Sequence, residues 1–139
     1  MTDTPLSTED RFAIQDLMVR YATAIDNRDW ALLRSCFTEQ CNAEYGEFGA
    51  WSTADDLAEA MDGMHKHVGV SLHRMSNISP VADGDDALSK TYVDVTILTK
   101  DGDKAIKATG WYEDRLVRQD GGWKIRIRRY TPIHTELPT

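Results

Sequence analysis

Cysteine is nearly absent from this chain. Only Cys36 and Cys41 occur in 139 residues, too few for a disulfide framework, and no C-x-x-C is present. Both are expected to be buried, reduced thiols, the state that suits a cytoplasmic protein. Long apolar runs are missing too: none approaches the roughly 20 residues that a membrane span requires. Met1-Thr2-Asp3-Thr4-Pro5 carries neither a basic n-region nor an apolar h-region, so no secretory signal is expected. Positive charge is in deficit, with 16 Lys and Arg against 23 Asp and Glu and a net charge of −7. Nucleic acid is therefore not an expected partner, because phosphate contacts need clustered cations. No metal is expected either: His65, His67, His73 and His134 form no H-E-x-x-H and have no cysteine companions at ligand spacing.

What remains is an ordinary globular balance, 41% hydrophobic and 28% charged. The length suits one domain with one core, about residues 8–133 between polar tails. A first helix starts near Ser7, with Glu9 and Asp10 in its opening turn. Ile14, Leu17, Met18, Tyr21, Ala22 and Ile25 then recur at the spacing of one buried helical face. Asn27-Arg28-Asp29 breaks that pattern, and a shorter helix is predicted through Trp30, Leu32, Leu33 and Phe37. A strand from about Asn42 to Phe48 follows. Ser52 or Thr53 caps a third helix with Leu57, Ala60, Met61, Met64 and Val68 on its apolar face, stopped by Gly69.

The second half reads as four strands: Val70–Ile78, Leu88–Thr99, Ile106–Arg118 and Trp123–Ile133. Turns at Asp83-Gly84-Asp85-Asp86, Asp101-Gly102 and Asp120-Gly121-Gly122 join them as antiparallel neighbours. Helices followed by a meander imply an α+β domain, with helices on one face of a curved sheet and a ligand-sized cavity between.

Asp26, closing the first helix, and His73, inside a strand, are the most informative pair. A carboxylate that holds an imidazole in one tautomer makes it a positioned proton acceptor near neutral pH. Alternation along the last strand puts Trp123, Ile125, Ile127 and Arg129 on one face, and Lys124, Arg126, Arg128 and Tyr130 on the other. On that reading Arg129 arrives inward, as an anion clamp or as half of an ion pair. Tyr21 and Tyr45 could supply hydrogen-bond donors to an oxyanion. Met61, Met64, Met75, Trp111 and Tyr112 would suit an apolar substrate wall or plain core. His65 and His67 flank the apolar stripe of the third helix, and the facing of Tyr92, Asp94 and Asp114 stays open.

The run Ala13-Ile14-Gln15-Asp16-Leu17 leading to Tyr21, Asp26 and Asp29-Trp30, with this order of elements, resembles the SnoaL-like branch of the NTF2-like superfamily. That resemblance implies a cone: three N-terminal helices held in a strongly curved, mixed or antiparallel sheet, often dimeric or trimeric through the sheet. It places Asp26 and His73 at the aspartate and histidine positions used by dehydratase and dehydrochlorinase members. Tyr45 falls where scytalone dehydratase presents a tyrosine, while Ile25 replaces the tyrosine that precedes that enzyme's aspartate. Arg129 looks like the inward arginine of the dehydrochlorinase, whose lysine is replaced near Tyr21. The implied activity is a cofactor-independent lyase of dehydratase type on a small apolar cyclic or aromatic substrate. Double-bond isomerisation and carbon–carbon cleavage would use the same parts. A non-catalytic binding or assembly module, such as a ring-hydroxylating dioxygenase small subunit, is the rival class. Epoxide hydrolysis, which would need Asp94 or Asp114 inward, is a third.

Overall fold

The computed structural model describes residues 5–138, so most of the N-terminal tail, Met1–Thr4, and Thr139 lie outside it. Helix α1 spans Thr8–Asp26 and α2 spans Trp30–Ser35. Strand β1 runs Phe37–Glu44, a 3-10 turn covers Gly46–Phe48, and β2 runs Ala50–Thr53. Helix α3 spans Ala54–His65, and four long strands complete the chain: β3 Val68–Asp83, β4 Asp86–Thr99, β5 Ala105–Gln119 and β6 Gly122–Glu136. All lie in one mixed sheet of order β2-β1-β6-β5-β4-β3, in which β1 and β6 are parallel.

Ser7 starts α1 with a reciprocal capping box: Asp10 N–H donates to Ser7 Oγ and Ser7 N–H donates to Asp10. Every apolar position anticipated on its inner face is buried, from Ile14 to Ile25. Ile14, Leu17, Met18 and Ile25 each contribute roughly 1.5–3 kcal/mol by leaving water. Asp10 also ties the helix to the sheet, accepting from both terminal nitrogens of Arg118 and from Trp123 Nε1.

Several boundaries differ from expectation. Phe37 begins β1 rather than ending α2, and the β1 strand stops at Glu44, where Tyr45 and a 3-10 turn intervene. Helix α3 ends at His65, not at Gly69. Gly69 belongs to β3, where a Cβ would sit 2.6 Å from the Thr99 carbonyl oxygen, so close strand approach explains the glycine. Strand β3 continues through Pro80 because it is the sheet's edge strand, where a missing N–H is tolerated.

Irregularities bend the sheet over the helices. Register shifts fall between Ser76 and Ser79 of β3, where Asn77 takes φ 47°, and between Thr109 and Gly110 of β5. A third shift decides the face of β6. Arg115 pairs with Ile127 but Leu116 pairs with Ile125, leaving Arg126 as an extra residue. Trp123 and Ile125 point inward as expected, but beyond the bulge the phase flips. Arg129 is therefore not inward: its side chain is 68% exposed, 3.8 Å from Glu44. Arg128 takes the interior place and is fully buried.

Candidate functional site

Asp26 ends α1 beside β3, and it collects three donors. His73 donates its backbone N–H to Oδ2 at 2.9 Å, and its ring Nδ1 lies 2.7 Å from Oδ1. Ser71 Oγ lies 3.0 Å from the same Oδ1. Arg28 fixes the direction of that last bond. Its Nη1 donates to Ser71 Oγ at 2.7 Å, and because a guanidinium cannot accept, the Ser71 hydrogen is directed to Asp26. Arg28 also donates to the carbonyls of Ile25 and Gly69, which anchors the helix end to the strand. Burial pushes the Asp26 carboxyl up, but the hydrogen bonds from His73 and Ser71 outweigh it and hold the group below its ordinary value. An ionised Asp26 requires a proton on His73 Nδ1 and leaves Nε2 as an acceptor. The His73 side chain is 8% exposed.

The imidazole faces a cavity of about 200 Å³ between helices and sheet. Ile25, Met61 and Met64 wall it from the helices; Val95, Ile97 and Ala108 wall it from the sheet. Phe48 and Val68 complete the apolar lining, with Phe48 63% exposed on the 3-10 turn. His65, at the end of α3, is a second imidazole on the same wall.

Four tyrosines make the polar remainder of the lining: Tyr21, Tyr45, Tyr112 and Tyr130. The hydroxyls of Tyr21 and Tyr45 are 2.6 Å apart, and Tyr112 stands 3.5 Å from Tyr21. In the Tyr21–Tyr45 pair only one hydroxyl can donate to the other, so one hydrogen remains for a further acceptor. Burial raises Tyr21, Tyr45 and Tyr112 above the ordinary phenol value, with the Arg128 cation opposing it at each. They therefore stay neutral hydrogen-bond donors at physiological pH.

Arg128 lies directly beneath them, its guanidinium carbon 4.2 Å from the Tyr21 ring centre and 3.8 Å from that of Tyr112. Asp114 neutralises it through two bonds, 2.8 Å from Nε and 2.9 Å from Nη2, with both side chains fully buried. Nη1 has no hydrogen-bond partner among the described residues.

Several site residues named from the sequence thus meet here: Asp26 with His73, and Tyr21 with Tyr45, above walls that include Met61 and Met64. Others do not. Trp111 lies on the outer face, stacked under Lys90 and bonded to Glu113, because the inward phase of β5 belongs to Tyr112, Asp114 and Leu116. Met75 shares the inward face of His73 but packs against the core away from the cavity walls. Arg129 is excluded by the β6 bulge. Tyr92 and Asp94 alternate outward, and His67 is exposed. Tyr112, expected as part of an apolar wall, does line the cavity, whereas Tyr130 and Arg128 went unnoticed as site residues. Nothing local marks the bulge that turns Arg128 and Tyr130 inward. The thiols are free, Cys36 buried and Cys41 half-buried; burial pushes both up, toward the inert form. Among the described residues no group of His, Cys, Asp and Glu could hold a metal ion, and no helix is long and apolar enough to cross a membrane.

Comparison with known proteins follows the same lines. An uncharacterised protein of Mycobacterium tuberculosis is 30% identical over 122 residues, covering 86% of this chain and 82% of its own. A solved protein of Novosphingobium aromaticivorans, assigned as a scytalone dehydratase, superposes with TM-score 0.83 at 22% identity over 92% of this chain and 87% of its own. A hexachlorocyclohexane dehydrochlorinase of type 2 gives TM-score 0.79 at 21% identity over 96% and 93%. At such identities the two structures carry the fold alone. The sequence model of the SnoaL-like domain matches residues 7–129, and the chain belongs to that family.

Proposed function

We propose that the chain is a cofactor-independent lyase that eliminates water from a small, mostly apolar cyclic or aromatic substrate. The observation that carries this reading is the Asp26–His73 contact of 2.7 Å at the edge of a greasy cavity. Asp26 holds His73 with its Nε2 lone pair free. Nε2 takes a proton from the carbon beside the substrate's activating carbonyl. The spare hydrogen of the Tyr21–Tyr45 pair meets the oxygen on which negative charge develops, and Arg128 beneath the rings favours that charge. As the electron pair forms the new double bond, the imidazolium passes its proton to the departing hydroxyl. Water leaves, and His73 returns to its starting state. Proton return to a different carbon instead would make the same groups an isomerase, and carbon–carbon cleavage would draw on the same base.

The fold shared with proteins assigned as dehydratase and dehydrochlorinase supports this class. Hydrolysis through Asp114 is disfavoured, because Arg128 occupies both of its oxygens and Tyr21 and Tyr112 stack on that arginine. We also take the working form to be a homo-oligomer joined through the outer face of the sheet, in the cytoplasm. His73→Ala should leave the thermal unfolding transition in place and cut turnover by about 10²–10⁴-fold. Full activity in that variant ends the proposal, and a wild-type chain that binds such substrates without turning them over leaves a binding module.

A further inference from the structure

His65 is the cavity group that the elimination chemistry does not use. It closes α3, and its Nδ1 lies 2.7 Å from the Met61 carbonyl oxygen, four residues back. A carbonyl oxygen only accepts, so Nδ1 carries the hydrogen, and in the neutral ring Nε2 is a bare acceptor. Burial, the largest influence, holds the ring below its ordinary value against the opposing hydrogen bond to Met61, and the Arg28 cation acts the same way as burial, which keeps the ring neutral at pH 7. Nε2 has no partner among the described residues, yet it is not sealed among the buried unpaired atoms. The side chain borders both the cavity and an outer cleft that reaches Asp26 and Arg28. Trp30 supports the ring from the other side at 5.9 Å between centres.

The cavity therefore meets its occupant with two imidazole acceptors, His73 and His65, in addition to the tyrosine donors. His73 is committed to the reacting proton. We infer that His65 determines specificity: its Nε2 accepts a hydrogen bond from a hydroxyl or N–H on the substrate, so the chain selects ligands that carry such a donor besides the acidic carbon. The inference rests on the reading that this cavity holds the substrate. At about 200 Å³ the space suits one or two rings, below the roughly 300–1,000 Å³ of sites for drug-sized ligands.

The test is a matched pair of probes, 2-naphthol and 2-methoxynaphthalene, alike in shape but with and without the donor. Calorimetry should show wild-type protein binding 2-naphthol at least ten-fold tighter. His65→Phe should bring that ratio to near one without weakening 2-methoxynaphthalene, and His65→Gln, which restores an acceptor, should recover part of it. Should the variants fail to fold, nitrogen-15 NMR of the wild-type imidazoles decides. His65 should be in the Nδ1–H form, with its Nε2 signal moving on addition of 2-naphthol and not of the ether. A ratio that survives His65→Phe, an Nε2–H or doubly protonated His65 at pH 7, or no binding of 2-naphthol overturns the inference. None of these readouts uses turnover. A protein that selects 2-naphthol through His65 but catalyses nothing sinks the lyase alone, and an active protein whose selectivity ignores His65 sinks this inference alone.

Discussion

Ser71 is a small residue with a large share in the site. It takes a proton donor from Arg28 and passes its own hydrogen to Asp26, so a guanidinium on the α1–α2 turn is linked to the carboxylate that steers His73. Asp26→Asn is the sharper test of that arrangement. An amide oxygen can accept from two of the three donors at most, and its NH2 opposes the third. Turnover should fall by about 10²–10⁴-fold, read as kcat with KM little changed. The same substitution should alter acid stability in a definite direction. Asp26 titrates lower in the folded chain, so its contribution is complete above the unfolded carboxyl value near 3.9 and disappears as pH falls through the folded one. Denaturant midpoints measured from pH 6 to pH 3 should drop less steeply in Asp26→Asn than in wild type. Asp26, at a helix end, and His73, inside a strand, could be picked out because their residue types carry acid–base chemistry and fall at the positions that the family resemblance implies. Arg28 could not: it sits at φ 56° as the left-handed residue of the α1 C-cap, its N–H donating to the Ile25 carbonyl and the Asp29 N–H to that of Ala24. Glycine is the usual residue at such a place, and nothing in the sequence shows that the Arg28 guanidinium reaches Ser71 and Gly69.

At the scale of elements, β6 teaches the most. Strict alternation predicts Arg129 inside, and one extra residue at Arg126 puts Arg128 there instead. The two arginines should thus respond differently to the same change. Arg128→Met leaves Asp114 buried without its cation and should cost about 3–5 kcal/mol of unfolding free energy. Arg129→Met removes a loose surface pair and should stay within about 0.5 kcal/mol of wild type. Equal effects in urea melts would contradict the bulge. The helices were legible because a 3.6-residue period extends over five turns of α1 and tolerates no slip. The long strands were legible as elements, marked by their Gly-containing turns, but their facing was not, since a period of two is inverted by a single inserted residue. Strand β2 and the turn around Phe48 were missed for a different reason. Four residues, Ala50–Thr53, are too few to show alternation, and their pairing partner β1 supplies the order that their own sequence lacks.

Over the whole molecule, the sheet has two unlike faces. The inner one carries the helices and the cavity. On the outer one Val70, Leu72, Leu88, Tyr92 and Ile127 are exposed, an apolar surface that a second copy of the chain would cover. Sedimentation equilibrium should give two or three times the 15.7 kDa of one chain, and Ile127→Lys should shift the population toward single chains. A wild-type monomer at micromolar concentration would rule out that assembly. One topological feature bears on how the protein comes into being. Strand β6 lies between β1 and β5, in the interior of the sheet, although it is made after every other strand. While the ribosome is still extending the chain, the β1–β2 pair and the β3–β4–β5 meander have no common edge. The tyrosines from the two halves cannot meet until the last strand slots between them. A nascent chain halted just before Gly122 should therefore be digested by protease at β1 and β5, the edges left unpaired, and release of the final segment should protect both at once.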